Sequence, residues 1–251
     1  MISCLSAWEL RDALGSQWDD VLTECAIYAA TSRQPWSEPP ITDPPLLEPG
    51  GRGDIDELRE CVETLDRLRG ERWLARRYRD GDFERDFFTV ATDDFEDLGH
   101  KLIVAVAAWK LAKIFPPYPT LRTGIWEMTA YHGPAPTPVT HDVVDRMIDS
   151  RGDIECAHAL FVYDAALETG DAEIVKRVED RQSCRFVDDS RPRLSGQAGL
   201  PVLHLPYRLA RDCGAYLQSL VVARRFGDPR IAEAAKYNLE HAASLEDFSF
   251  A

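Results

Sequence analysis

The chain is expected to be all-α: a multi-helix bundle or a stack of αα-hairpins with two long proline-rich loops, and at most a minor strand near 184–187. Three observations predict this. Apolar residues recur at spacings of three and four over most of the chain, the period of an amphipathic helix. Gly and Asp stand together where helices should stop and restart, as at Gly170-Asp171 and Gly227-Asp228. No stretch alternates apolar and polar residues as a half-buried strand does. The 251 residues suit one to two domains at about 150 residues each, and 45% of them are apolar, enough for a core. The reading is a single helical domain over 1–251. Within it a proline-rich linker at 33–53 sets a short N-terminal helical segment (1–32) apart from the main body (54–251).

The elements follow in order. Ser6-Ala-Trp-Glu9 has the capping-box pattern, and two short helices broken near Gly15 come after it. Six prolines between 35 and 49 remove donors and fix φ, so neither a helix nor a central strand is expected there. Asp54 then opens a long helix to about residue 79, with Ile55, Leu58, Val62, Leu65 and Leu68 on one stripe, and Gly81-Asp82 ends it. A second stripe, Phe88, Ala91, Phe95, Leu98, Leu102, Ala105 and Trp109, runs through 83–115, with Thr92 restarting a helix and Asp93 and Asp94 in its first turn. Six more prolines lie within 116–138, with one short helix around 125–131. Thr140 caps a helix to about 150, and helices follow at roughly 153–169, 171–182, 206–226 and 228–245. The 23-residue connection 183–205 holds the candidate strand. Ala166-x-x-x-Gly170-Asp171-x-x-Ile174 is echoed 57 residues on by Ala223-x-x-x-Gly227-Asp228-x-x-Ile231, two copies of one αα-hairpin turn.

Charge and composition exclude several classes. Lys and Arg number 29 against 43 Asp and Glu, a formal net charge of −14. That balance argues against nucleic acid and against anionic membrane surfaces as partners. The longest apolar run, 102–109, is far short of the roughly 20 residues a bilayer span needs, and Glu9, Arg11 and Asp12 interrupt the N-terminus too early for a secretory signal. The smallest gap between the six cysteines is 21 residues, which excludes zinc-ribbon and thioredoxin-type spacings. Reduced thiols in a cytoplasmic protein are the expectation. No Gly-x-Ser-x-Gly, Walker A or Gly-x-Gly-x-x-Gly pattern is present.

Three constellations carry chemistry. Arg67, Arg69, Arg72, Arg76, Arg77 and Arg79 are followed by an acidic run that includes Asp82, Glu84, Asp86, Asp93, Asp94 and Glu96. The arginines either pair with the acids across the turn at Gly81, face solvent, or form an anion site. Left uncovered, the six acids form a face for a basic protein partner. A second constellation pairs Asp97-Leu-Gly-His100 with Glu155-Cys-Ala-His158. A carboxylate three residues before a His shares its helix face. The pair resembles the Glu-x-x-His motifs of ferritin-like di-iron proteins. That resemblance implies an Fe or Mn pair held by Asp97, His100, Glu155 and His158, completed by Glu60 or Glu63 and by Asp142 or Asp145. A core histidine bonded to a carboxylate or carbonyl accounts for the same residues. Third, Asp93-Asp94-Phe95-Glu96-Asp97 resembles the DDxxD motif of class I terpene synthases and prenyltransferases, which implies Mg²⁺ on Asp93 and Asp97 and diphosphate chemistry. Acids in the first turn of a helix read equally as partners of its dipole.

Two functions follow. The favoured one is an acidic all-α interaction module without cofactor, of the inhibitor or immunity type, masking a basic partner. The alternative is a metal-dependent helical enzyme, with oxygen or redox chemistry at a carboxylate/His site or, less favoured, Mg-diphosphate chemistry.

Overall fold

The computed structural model describes residues 1–31, 49–81, 83–95, 97–129, 143–151, 154–181 and 205–244, without the side chains at 24, 27–31, 97, 154–155, 205–213 and 238–244. The described residues form an all-α bundle with no strand among them. The helices are α1 (Ile2–Glu9), α2 (Arg11–Leu14), α3 (Trp18–Thr31), α4 (Ile55–Glu63), α5 (Arg67–Asp80), α6 (Glu84–Ala91), α7 (His100–Leu111), α8 (Pro117–Met128), α9 (Val143–Asp149), α10 (Ile154–Thr169), α11 (Ala172–Asp180), α12 (Leu205–Phe226) and α13 (Arg230–Ser244). Residues 15–17 and 97–99 are single 3₁₀ turns. None of the described helices is long and apolar enough to cross a membrane. The candidate strand at 184–187, Thr140 and most of the two proline-rich stretches lie outside the described residues.

At the centre is α7. Every residue from Lys101 to Ala108 is buried, so this helix has no solvent face. Its neighbours α1, α6, α8 and α10 enclose it. The closest approach is to α8, at Gly124. A Cβ there would stand 2.6 Å from the Ala108 Cβ and 3.2 Å from Phe87, so only glycine lets the two backbones come this near. Outside this layer α4 and α5 carry Leu58, Val62, Trp73 and Leu74 into the same core. Helices α10 to α13 close the other side through Leu160, Phe161, Ile174, Val222 and Ile231. A smaller cluster, Ala7, Leu10, Cys25, Leu217 and Val221, joins α1 and α3 to α12.

Several boundaries differ from expectation, each for a local reason. α1 already begins at Ile2, so Ser6 is a buried mid-helix residue and its capping box does not form. The single helix expected over 54–79 is two. The chain breaks at Thr64-Leu65-Asp66, where Leu65 takes φ 60°, and Asp66 accepts the Arg69 N–H as the cap of α5. Leu65 and Leu68 leave the expected stripe and stand 51% and 56% exposed. Thr92 ends α6 and restarts nothing: its hydroxyl bonds back to the Phe88 and Thr89 carbonyls. The short helix placed at 125–131 instead begins at Pro117, where a proline in the first turn gives up no intrahelical bond.

Other signals hold. Asp54 accepts the Glu57 N–H and caps α4, and Gly81 closes α5 in the left-handed region. Gly170 and Gly227 take φ 68° and 67°, and Asp171 and Asp228 each accept the N–H two residues on, so the echoed sequence is one turn made twice.

Two charge groups, one buried and one partly buried, tie helices together. Between α5 and α8, Glu71 and Arg122 meet at 2.7 Å with side chains 0% and 9% exposed. The Trp126 indole N–H donates to the same carboxylate at 3.3 Å, and the Arg122 guanidinium lies 4.6 Å over that ring. Burial and the Glu71 charge push the neighbouring Tyr118 hydroxyl up to about 12. Removing Glu71 alone strands a guanidinium in the core. Glu71→Ala is expected to cost about 3–5 kcal/mol in urea unfolding, and the double change Glu71→Met/Arg122→Met markedly less. Equal losses in the two variants would contradict this account.

The second group joins α1, α7, α10 and α12. Lys110 pairs with Glu9 and Glu168, and Arg225 pairs with Asp164, Glu9 and Glu168. Burial raises the Asp164 carboxyl above the ordinary aspartate value, against the opposing pull of Arg225. The folded state therefore holds that proton to higher pH than the unfolded chain. The contribution of Asp164 to stability is full below the ordinary aspartate value and is lost as pH rises through the folded one. Asp164→Asn should remove this fall in the urea midpoint as pH climbs above about 4. A profile identical to the parent's would refute the assignment.

Candidate functional site

Among the described residues, the link between α6 and α7 holds two of the four non-glycine residues with a left-handed φ. Phe95, Leu98 and Gly99 take φ 55°, 60° and 77°. Left-handed conformations at bulky residues cost about 1–3 kcal/mol each and persist only where the surroundings over-determine them. Here the surroundings are identifiable. Phe95 and Leu98 are buried, at 2% and 3% exposure. The Asp93 carboxylate is held from two helices, by Arg59 Nε at 2.7 Å on one oxygen and Arg177 Nη1 at 3.1 Å on the other. The Asp94 carboxylate meets the wholly buried Lys101 Nζ at 2.6 Å, and its carbonyl accepts from Arg181 Nη2 at 2.7 Å. Gly99 lies on α10, where a Cβ would stand 2.4 Å from Val162 Cγ2.

This link delivers His100, the first residue of α7, to His158 on α10. Their Nε2 atoms are 3.0 Å apart and their rings meet edge to face with centroids 4.6 Å apart. His158 is 7% exposed and its other edge rests on Phe161, centroids 5.6 Å apart. Two histidines 58 residues apart in sequence thus share one junction, as the paired motifs require. The backbone of Glu155 lies one turn before His158 in α10, and that of Asp97 precedes His100 across the left-handed Leu98 and Gly99; the side chains of both are outside the described ones. The other carboxylates expected to complete a di-metal set are elsewhere. Glu60 is bound by Arg52 and Arg69, which hold its carboxyl below the usual range, and Asp145 faces Arg230 at 3.6 Å. Glu63 is exposed, and Asp142 is outside the described residues. Among the described residues no group of three or more metal-ligating side chains converges.

The acidic run turns inward. Asp86 pairs with Arg77 at 3.0 Å across the Gly81 turn, and Glu84 accepts the Trp109 indole N–H at 2.8 Å. Asp93 and Asp94 are held as described; Asp82 and Glu96 are outside the described residues. Both oxygens of Asp93 meet guanidinium groups, so the DDxxD pattern places its first carboxylate in an ion pair. On the arginine side, Arg69 pairs with the buried Glu57 and with Glu60, and Arg76 donates to the Gly51 carbonyl. Intramolecular ion pairing thus takes up Arg69, Arg77, Asp86, Asp93 and Asp94. Of the described cysteines, Cys4, Cys61 and Cys156 carry free thiols, and burial pushes Cys61 up to about 11, a poorly reactive thiol.

A different surface was not singled out by the sequence. The Trp8 ring stands edge-on to Trp18 at 6.1 Å and to Phe115 at 6.4 Å. Phe115 is 50% exposed and its neighbour Ile114 37%. Asp12, Asp19 and Asp20 are exposed on the same N-terminal helices, and Arg11 lies 4.8 Å over Trp8. No periodic pattern marks this patch, because its rings come from three separate segments.

The chain matches no family model, and no curated protein or solved structure is similar to it.

The Gly99 contact ties the strained link to the histidine pair. Gly99→Ala should cost about 1–3 kcal/mol, from the left-handed φ and the Val162 contact together. Shortening Val162 to Ala in the same chain should recover part of it. Thermal unfolding of the two variants checks this, and no recovery in the double variant would show that the backbone conformation alone carries the cost.

Proposed function

We propose that this protein is a binding module for a cationic partner that offers an apolar anchor. The single observation that carries the reading is the half-exposed Phe115 in its Trp8–Trp18 cluster, beside exposed Asp12, Asp19 and Asp20. Aromatic anchors contribute most of the affinity in protein interfaces, and complementary charge raises the association rate and selects the partner. The charge arithmetic supports the sign. With 43 acids against 29 Lys and Arg, the chain keeps a net charge of −14 however the ion pairs are arranged. The acids at 84–94 are engaged internally, so the docking face is assigned to the N-terminal helices rather than to that run. An inhibitor or immunity-type role, masking a basic enzyme or toxin, is the form of this function that the acidity favours.

A designed cationic amphipathic helix is the probe, with its charge-reversed counterpart as control, read by the fluorescence of the tryptophans. The cationic helix should bind saturably and more weakly as salt rises. Phe115→Ser should lower affinity by about tenfold or more. Asp12→Asn/Asp19→Asn/Asp20→Asn should flatten the salt dependence. Equal binding of the two helices, or no effect of Phe115→Ser, would overturn the reading.

A further inference from the structure

We infer that His100 and His158 are two ligands of a single divalent first-row metal ion, with a carboxylate from Asp97 or Glu155 as the third. This goes beyond the docking face and does not depend on it.

Three observations carry the inference. The first is the 3.0 Å separation of the two Nε2 atoms. At metal–nitrogen bonds of about 2.0–2.1 Å, nitrogens this far apart subtend about 95° at a shared ion. That is close to the cis angle of about 90° in an octahedral site and well below the tetrahedral value of about 109°. The second is spacing. Glu155 precedes His158 by three within α10, and positions three apart on a helix lie on one face. Asp97 also precedes His100 by three, across the left-handed Leu98 and Gly99 rather than within a helix. Two imidazoles with one carboxylate on an open octahedral face is the donor set that suits Fe(II) and, with harder ligands, Mn(II). The third is the strain at Phe95, Leu98 and Gly99, which ends at His100. Bulky residues are held in the left-handed region where the fold enforces a direction, and here that direction brings the His100 ring onto His158.

A hydrogen-bonded histidine pair is the competing account. It requires one neutral ring to carry its proton on Nε2 and the other to present a bare Nε2. Metal binding requires the Nδ1–H tautomer in both rings, so the shared Nε2 proton moves to Nδ1 of its own ring and both lone pairs turn to the ion. The alternatives therefore differ in stoichiometry, in tautomer and in their dependence on the carboxylates. Only one ion is inferred, because Glu60 and Asp145 have guanidinium partners of their own.

The test is titration of the full-length, metal-free chain with Co(II) alone, followed in the visible spectrum and by metal analysis after gel filtration. One equivalent should bind, with the weak bands of a six-coordinate ion, and should raise the melting temperature. Proton NMR of the Co(II)-loaded parent chain should show two far-shifted, exchangeable imidazole N–H signals, a readout that needs no variant. His100→Ala and His158→Ala should each weaken binding by more than about 100-fold, beyond the effect of removing a supporting partner. Circular dichroism establishes that each variant is folded. Asp97→Asn/Glu155→Gln should weaken binding by at least about tenfold. Absence of saturable Co(II), Fe(II) or Mn(II) uptake by the parent chain overturns the inference. So does uptake that survives both histidine changes in folded protein, or that ignores the double carboxylate change.

Discussion

The burial of α7 on every side is the constraint from which the rest of the architecture follows. A helix with no solvent face needs neighbours all round, and α1, α6, α8 and α10 supply them. Full enclosure dictates small residues where backbones approach, as at Gly124 against Ala108, and a partner for the charge that is wholly buried with the helix. Lys101 is that charge, and Asp94 meets its ammonium. A buried ammonium without a carboxylate would be prohibitive, so the position of Asp94 is part of the condition for α7 to be central at all.

The same requirement explains the strained link before α7. Asp94 reaches Lys101 because the chain turns through left-handed conformations at Phe95, Leu98 and Gly99 rather than running on as a helix. The conformation is held from outside by Arg59, Arg177 and Arg181, from α4 and the α11 end. The acids that look like a docking face in one dimension are thus fasteners in three. Their ion pairs are only partly buried, each of modest worth alone. Together they fix the direction in which His100 leaves the turn.

The proposed docking face and the histidine junction lie at opposite ends of α7. Phe115 follows its last turn and His100 opens its first, with a helix about 18 Å long at 1.5 Å per residue between them. The face depends on exposed rings and uncompensated charge, the junction on buried geometry. Changes at one are therefore separable from changes at the other, because sites this far apart without shared partners combine additively.

The helices and their hairpin turns were legible in the amino-acid sequence, because each rests on local spacing. A 3.6-residue period, an Asp cap or a left-handed Gly is written within a few residues of where it acts. The break at Leu65 was not legible, nor was the left-handed link at 95–99 that stands in place of a helix restarted at Thr92. A periodic apolar pattern continues across both, and at the link it is the burial of Phe95 and Leu98 and the approach of Gly99 to Val162 that hold the left-handed backbone. Nor was the fate of the acids. A carboxylate reads as free until a guanidinium from another helix is placed 2.7 Å away, as Arg59 is to Asp93. Composition determined the sign and size of the net charge, since counting side chains needs no coordinates. Which carboxylates are consumed, and that Phe115 stays exposed beside the half-buried Trp8 and Trp18, was decided only by tertiary structure, because ion pairs and ring contacts join residues far apart in sequence.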